Sequence, residues 1–246
     1  KANVQEFGTH VPLAITNPGG VKGKIVDEPV GLIDLAPTLM ELVGLEDAMT
    51  PTGKSLLPIL TKEQHPPHRE YVLTGRERHA HARPDNLGYP ARAIRTREYL
   101  YVYHFKPDRW PQGDPVPTSP ENDQRSKIKG YKALYPGYHD VDDSPSKRLV
   151  MTMKNSPYFE RAFAKRPKEQ LYDIQKDPYC IQNIAILPEY EEVLNRLRQQ
   201  LMANLEEQGD PRFSNNHVFD SYPRYSTMRN FPGFNDRGKY NPAFGQ

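Results

Sequence analysis

The chain has 246 residues, of which 33 are Lys or Arg and 31 are Asp or Glu, so its net charge is +2. Such a balance excludes the strong positive field of a nucleic-acid-binding protein or of a protein held on an anionic membrane, and no stretch is apolar over the length of a membrane-spanning helix. The 25 prolines and 15 tyrosines, with only 36% hydrophobic residues, predict long ordered loops over a modest core that aromatic rings help to pack.

The first predicted element is a short strand. Pro12 opens the apolar run 13–15, which is typical of a buried strand bounded by turn residues. Lys1 lies upstream of this strand, where a lysine is well placed to meet an anion at the strand's edge. The chain begins without an initiator Met or a leader, and we expect that a preceding part of the protein is missing and holds part of the chemistry.

Two helices are predicted next. In the segment 34–44, Asp34 can cap the N-terminus, Pro37 falls in the first turn and Gly44 supplies the stop. The apolar positions follow helical spacing and predict a core-facing side, formed by Leu35, Leu39, Leu42 and Val43. A second, shorter helix is predicted from Ser55.

A charged linker, residues 62–69, predicts a boundary between two domains. Strands are then predicted over 69–75, 91–96, 99–105 and, much later, 170–174. The two residues between 91–96 and 99–105 indicate a hairpin, and the alternation of tyrosines in 99–105 predicts one aromatic face. Arg92 and Arg95 are expected to hold the two domains together through hydrogen bonds.

The longest helix is predicted from Pro188 to Gly209. Its apolar stripe consists of Tyr190, Leu194, Leu197, Leu201 and Leu205. Before it, the segment 106–148 has the composition of a functional or disordered loop, with embedded aromatics that argue for partial order. After it, residues 210–246 predict an irregular aromatic tail. The rings of both segments fit packing over a thin core, which is the simpler interpretation, or a platform for sugars.

The loop after the first strand of this second group contains five polar side chains that suit sugar binding: His79, His81, Arg83, Asp85 and Asn86. The two histidines, two residues apart, would share a face on a strand or converge on a ligand in a loop. A metal site would need a third ligand, and none has suitable spacing. The alternative is an ordinary solvated loop.

Four blocks, in this order, resemble the C-terminal part of the formylglycine-dependent sulfatases of the alkaline-phosphatase superfamily. They read KANVQEFGTHVPL, IDLAPTLMELVGL with TGKSLLPIL, RAIRTREYLYVYHF and LYDIQKDPYCIQNIA, and cover roughly residues 1–208. The blocks HAHARPDNLGYPARAIRT and QLYD are most similar to the heparan N-sulfatase-like branch.

The resemblance implies an α/β fold class and three parts of the chain. Residues 1–64 would be the end of the sulfatase catalytic α/β domain. Residues 65–209 would form a smaller α+β domain, with a four-stranded antiparallel sheet packed on a C-terminal helix and the loop insertion 106–148. Residues 210–246 would be the irregular tail.

The resemblance also implies hydrolysis of sulfate esters or sulfamates of a sulfated saccharide. In that family a formylglycine, made from Cys or Ser in a C/S-x-P/A-x-R motif, attacks sulfur, and a calcium ion held by Asp and Asn polarises the sulfate. This sequence has no such motif, and Cys180, followed by Ile181, is expected to be a small half-buried residue instead. Asp85 and Asn86 do not match the family's calcium ligands. We therefore expect calcium and formylglycine in the missing N-terminal part and no metal ligands in this chain.

One catalytic position matches. The spacing of Lys1 to Glu6 and Pro12 corresponds to the family's sulfate-binding lysine, whereas composition alone favours a frayed, solvated terminus. The loop 79–86 leaves the small sheet where relatives build the rim of the substrate pocket.

The expected partners are therefore a sulfated saccharide and the N-terminal part of the same sulfatase, without nucleic acid or membrane, and the fragment alone should be inactive. A periplasmic, secreted or lysosomal location is expected from the family. Two alternatives stay open. One is a relative that binds sulfated glycans without cleaving them, and the other is a phosphonate or phosphodiester hydrolase of the same superfamily.

Overall fold

The computed structural model describes residues 3–48, 50–79, 82–83, 87–113, 115, 137–215 and 217–221. Within them the chain forms the helices α1 (Glu6–Thr9), α2 (Leu35–Val43), α3 (Leu57–Thr61), α4 (Pro145–Thr152), α5 (Pro157–Phe163), α6 (Glu191–Glu207) and α7 (Pro211–Ser214). The strands are β1 (Tyr71–Arg76), β2 (Ala91–Thr96), β3 (Tyr99–His104) and β4 (Glu169–Asp173). Short 3-10 turns cover Leu32–Asp34, Glu46–Ala48 and Pro188–Tyr190.

The four strands form one antiparallel sheet in the order β1-β2-β3-β4. This confirms the four predicted strands and the hairpin between β2 and β3. Ile94 pairs with Tyr101 across the hairpin, and Tyr101 pairs with Leu171 of β4. Because β3 and β4 are antiparallel neighbours, the predicted insertion starts and finishes at the same end of these two strands.

One face of the sheet packs on α6. The buried leucines of α6 are Leu194, Leu197, Leu201 and Leu205, and they meet Ile94, Tyr101 and Leu171 in one core cluster. Tyr99 and Tyr103 pack against the same cluster, which confirms the predicted aromatic face. Each fully buried leucine of this kind contributes about 2 kcal/mol through removal of apolar surface from water, so this contact stabilises one face of the sheet strongly.

The opposite face of the sheet carries a second cluster and receives the N-terminal segment. Val4 packs there against Ala91, Ala93, Leu100, Val102, Tyr172 and Ile174. Side chains alternate along a strand, so Arg95 and Arg76, in step with Ala93 and Ala91, belong to this same face. The N-terminal segment and the end of β1 therefore lie on one side of the sheet.

The buried strand predicted at 13–15 is wrong. These residues are irregular, and the side chains of Leu13 and Ile15 are exposed. A strand needs a neighbour for its backbone N–H and C=O groups, and in the described part of the chain all four strands pair with one another in the sheet β1-β2-β3-β4, which does not include 13–15.

Helix α2 begins directly after Asp34, as the predicted cap implies, but the side chain of Asp34 does not cap it. The 3-10 turn before it leaves Asp34 in a helical conformation, with no side-chain cap bond to α2. Its fully buried carboxylate instead accepts hydrogen bonds from the backbone N–H of Gly31 and Lys54, both at 2.8 Å, and from Arg69. Burial raises the pKa of Asp34, but these bonds outweigh it and the pKa is lowered. The predicted stop at Gly44 is confirmed, with φ of 69°.

The apolar side of α2 faces outward, contrary to the prediction. Leu39, Leu42 and Val43 are exposed by 63%, 46% and 67%, because α2 packs against α3 and not against the sheet. Leu32, Ile33 and Leu45, on either side of α2 in the sequence, are exposed as well, which is unusual for a segment this rich in leucine.

The insertion is more ordered at its end than predicted. Ser144 and Ser156 cap α4 and α5 with hydrogen bonds from the backbone N–H of Lys147 and Phe159, so the loop stops before residue 148. Around them, the rings of Trp110, Tyr138, Phe159 and Phe163 pack in edge and tilted contacts of 4.6 to 6.1 Å between centroids. These rings pack together, as the simpler interpretation predicted. Residues 114, 116–136 and 222–246 lie outside the described residues.

Candidate functional site

The predicted site residues divide into two groups. Lys1, His81, Asp85 and Asn86 lie outside the described residues, so their roles stay predictions. His79 and Arg83 are described, and both contact Asp140, which the sequence did not single out.

Asp140 is the centre of the cluster. Its buried carboxylate accepts hydrogen bonds from Arg76 Nη2 at 2.5 Å, Arg83 Nη2 at 3.0 Å and His79 Nδ1 at 2.9 Å. Arg76 is the last residue of β1, and the other two donor side chains come from the loop that follows. We call these four residues the Asp140 cluster. Charge-assisted bonds of this kind are the strong ones in proteins.

Arg83 is held on three sides. Its Nε donates to the carbonyl oxygen of Trp110 at 2.7 Å, and its Nη2 donates to that of Pro111 at 2.6 Å as well as to Asp140. Its guanidinium also lies 5.6 Å from the ring centroid of Tyr89. Burial lowers the pKa of Arg83, and the carboxylate of Asp140 opposes that effect. The side chain is therefore fixed in place and stays cationic.

Asp140 reaches the loop because the end of the insertion turns back on itself. Gly137 and Tyr138 both have positive φ, at 92° and 51°, and the backbone N–H of Asp140 then donates to the carbonyl of Gln112 at 3.0 Å. Gly113 is needed at the crossing, since a Cβ there would lie 2.8 Å from the Cβ of Ala82. Three segments thus meet around one carboxylate.

His79 is oriented for contact with a ligand. Its Nδ1 meets Asp140, and its side chain is 29% exposed, whereas Arg76 is 12% and Arg83 is 3% exposed. When Nδ1 carries the hydrogen that Asp140 accepts, Nε2 accepts hydrogen bonds in the neutral ring and donates them in the protonated ring. This atom can therefore bind a hydroxyl or an anionic oxygen.

A second ionic network lies beside the first and ties the start of the tail to the sheet. Arg92 donates to both oxygens of Asp210, at 2.6 and 3.1 Å, and pairs with Glu77 at 2.8 Å. The fully buried Arg212 also pairs with Glu77, at 2.6 Å. Arg92 therefore holds α7 and does not join the two predicted domains. Arg95, in contrast, does bond to the N-terminal segment, through Glu6.

Cys180 has no features of a reactive nucleophile. It is half-buried, as predicted, and adopts a left-handed backbone with φ of 52°. Burial raises the pKa of its thiol to about 11, so the nucleophilic thiolate is disfavoured at neutral pH. Among the residues that the structure describes, no three His, Cys, Asp or Glu side chains are grouped so that they could hold a metal ion.

Sequence reasoning missed Arg76 and Asp140. Arg76 is the last residue of a strand, and Asp140 lies 64 positions after it in the sequence. The local signal was the run Arg76 to Arg83 itself, which contains three arginines and one acidic residue, Glu77. Such an excess indicates a counter-ion from elsewhere in the chain.

Comparisons with known proteins identify the relatives of this chain. No family model matches it. An ulvan-active sulfatase of Formosa agariphila is 25% identical over 203 residues, 82% of this chain and 29% of the relative. The human N-sulphoglucosamine sulphohydrolase is 25% identical over 228 residues, 86% of this chain and 39% of the relative. A solved 2-O GAG sulfatase is 20% identical and covers 89% of this chain and 35% of its own, with a TM-score of 0.47.

These relatives confirm the resemblance to the C-terminal part of the sulfatases, with an N-sulphoglucosamine sulphohydrolase among them. The chain spans about a third of the length of the curated relatives it matches. Within the described residues, no helix combines the length and the apolar character needed to cross a bilayer.

Proposed function

We propose that this chain is the C-terminal part of a sulfatase that hydrolyses the sulfate esters or sulfamates of a sulfated saccharide. The observation that carries the proposal is the similarity to two sulfatases along more than four-fifths of the chain. Those two relatives are described as acting on ulvan and as an N-sulphoglucosamine sulphohydrolase, which supports a sulfated sugar as the substrate class.

The exposed apolar surface of the N-terminal segment supports a partner for this chain. It consists of Leu32, Ile33, Leu39, Leu42, Val43 and Leu45. Leaving six large aliphatic side chains in water is unfavourable by roughly 1.5 to 3 kcal/mol for each one that a partner would fully bury. We propose that the N-terminal part of the same sulfatase covers this surface, and that the chain alone is inactive.

Formylglycine and calcium belong to the proposed N-terminal part. The sequence contains no C/S-x-P/A-x-R motif, and the described residues do not form a metal-binding group, so the residues present do not fit either one. Formylglycine would supply the attacking oxygen and calcium would polarise the sulfate, and the residues of this chain act on the substrate only.

Two sites of this chain would contact that substrate, one at Lys1 and one in the loop 79–86. Lys1 would neutralise sulfate oxygens at the reacting centre, where negative charge develops. His79 and Arg83, with His81, Asp85 and Asn86, would bind the saccharide at the rim. The geometry supports the rim assignment for His79 and Arg83, because Asp140 fixes both and the His79 ring is accessible. A periplasmic, secreted or lysosomal setting is part of the same proposal.

The test is sulfate release by the intact protein, matured in cells that make formylglycine and assayed with calcium. Ion chromatography should detect free sulfate from a sulfated oligosaccharide, and none with the isolated 246-residue chain. A matured intact protein that binds sulfated glycans but releases no sulfate would contradict the proposal and favour the non-catalytic alternative.

A further inference from the structure

We propose that the Asp140 cluster is an anion subsite, in which Arg76, His79 and Arg83 bind a carboxylate or sulfate group of the saccharide. The inference rests on the proposed function and goes further, because it assigns a charged group of the substrate to particular atoms. Two independent observations carry it, an excess of positive charge and unsatisfied donors that are already buried.

The charges around Asp140 do not cancel. Arg76 and Arg83 contribute two positive charges, and Asp140 supplies one negative charge. The cluster therefore has a net positive charge before His79 is protonated, in a region where burial lowers the pKa of Arg83. An anion would neutralise it.

The donors are also incompletely used. Arg83 Nη1 and Arg76 Nε are buried and have no hydrogen-bond partner among the described residues. A buried donor left unpaired is unfavourable, and more so in a charged group. Asp140 and two backbone carbonyls already hold the rest of Arg83, so the free Nη1 is fixed in direction. This is the arrangement expected of a preorganised receptor for an oxyanion.

The accessible side of the cluster is the His79 ring, since the two arginines are nearly buried behind it. An incoming oxyanion would meet Nε2 of His79 first and would then complete the arginine donors. Asp140 acts as the positioning residue, because it bonds to both arginines and to His79 and keeps the three side chains convergent.

The experiment uses the intact protein and three saccharides that share one cleavable sulfate. The first has no other charge, the second has an additional sulfate, and the third has a uronate carboxylate. Isothermal titration of each should show tighter binding of the second or the third than of the first. The saccharide that binds more tightly, the sulfated or the uronate one, identifies the anionic group that the subsite takes. In Arg76→Gln and Arg83→Gln, that gain in affinity over the first saccharide should fall by roughly tenfold or more.

Arg148→Gln is the matched control, since Arg148 lies in the insertion that carries Asp140 but forms an exposed pair with Asp143. It should bind all three saccharides as the wild type does. If Arg83→Gln fails to fold, Arg76→Gln and His79→Gln, at less buried positions, answer the question. Equal affinity of the wild type for the three saccharides, or an equal loss for all three in the arginine variants, would overturn the subsite. Because binding is measured and not turnover, an absence of sulfate release would count against the proposed function only.

Discussion

Arg95 of β2 donates from Nε and Nη2 to the two carboxylate oxygens of Glu6, at 3.0 and 3.2 Å. Glu6 opens α1 and is buried, and its second oxygen also meets His10 Nδ1 at 2.9 Å. A bidentate pair of this kind fixes direction as well as distance. The N-terminal segment is therefore held at Glu6, five positions after Lys1 in the sequence, on the sheet face that also carries Val4.

Breaking this clamp should destabilise the protein. In Arg95→Gln, the carboxylate of Glu6 stays buried without its cation, and we expect a loss of about 2 kcal/mol, between the values for exposed and for fully buried pairs. Urea unfolding measures it. Adding Glu6→Gln to Arg95→Gln should recover part of the loss, whereas Arg148→Gln, in an exposed pair, should leave the midpoint unchanged. Equal midpoints for Arg95→Gln and the wild type would contradict the clamp.

The packing of α6 on the sheet gives a second prediction. Leu197 is fully buried against Ile94 and Tyr101, so Leu197→Ala should cost about 3 kcal/mol through lost burial and the cavity it leaves. Ile186, exposed by 84%, is the control, and Ile186→Ala should change the free energy of unfolding by less than about 0.5 kcal/mol. Similar effects of the two substitutions would show that α6 is not part of the core.

His104 predicts how stability depends on pH. Burial lowers its pKa from 6.5 to about 4, against the opposing hydrogen bond with Gln170. Between pH 6.5 and 4 the His104 ring is protonated in the unfolded chain but neutral in the folded chain. The stability that this neutral ring allows is therefore fully present above pH 6.5 and is lost as the pH falls towards 4. The loss amounts to about 3 kcal/mol for a difference of this size.

The measurement is the free energy of unfolding from pH 7.5 to 4.5, for the wild type and for His104→Gln. The variant lacks the titrating ring, so its stability should fall less steeply than that of the wild type over this range. Parallel curves would mean that His104 titrates alike in the folded and unfolded states.

These regions also show what sequence alone could predict. The alternation of tyrosines in β3 and the leucine stripe of α6 each depend on local periodicity, so the sheet and its covering helix were predicted correctly. The side chains of Leu39 and Val43 were assigned to the core by the same reasoning and are exposed, because a stripe shows only that a face is apolar and not what covers it. Helices α4 and α5 were missed, although Ser-Pro at their first turns is a recognisable start signal.

The candidate site was less predictable than the fold. Its loop was found because histidines and arginines concentrate there, but Asp140 lies 57 positions from Arg83 and 61 from His79. No local pattern links them, and the contact depends on the left-handed turn at Gly137 and Tyr138. Distance along the chain, and not any lack of chemical signal, hid the residue at the centre.

Lys1 gives the prediction for the reacting centre. In the intact protein, Lys1→Ala should lower kcat for sulfate release by roughly 100-fold, the range found when one donor to a developing oxyanion is removed. The thermal midpoint should not change. Lys22→Ala, at an exposed lysine nearby in the sequence, is the control and should keep full turnover. Unchanged kinetics in Lys1→Ala would make Lys1 an ordinary solvated residue.

The most direct test of the sulfatase assignment compares kcat/KM of the matured intact protein for a sulfated saccharide and for the matching phosphate ester, with calcium present. We expect the sulfate compound to be preferred by at least about tenfold, a difference of 1.4 kcal/mol in transition-state binding. Preference for the phosphate ester would contradict the account and assign the protein to the phosphodiester or phosphonate hydrolases.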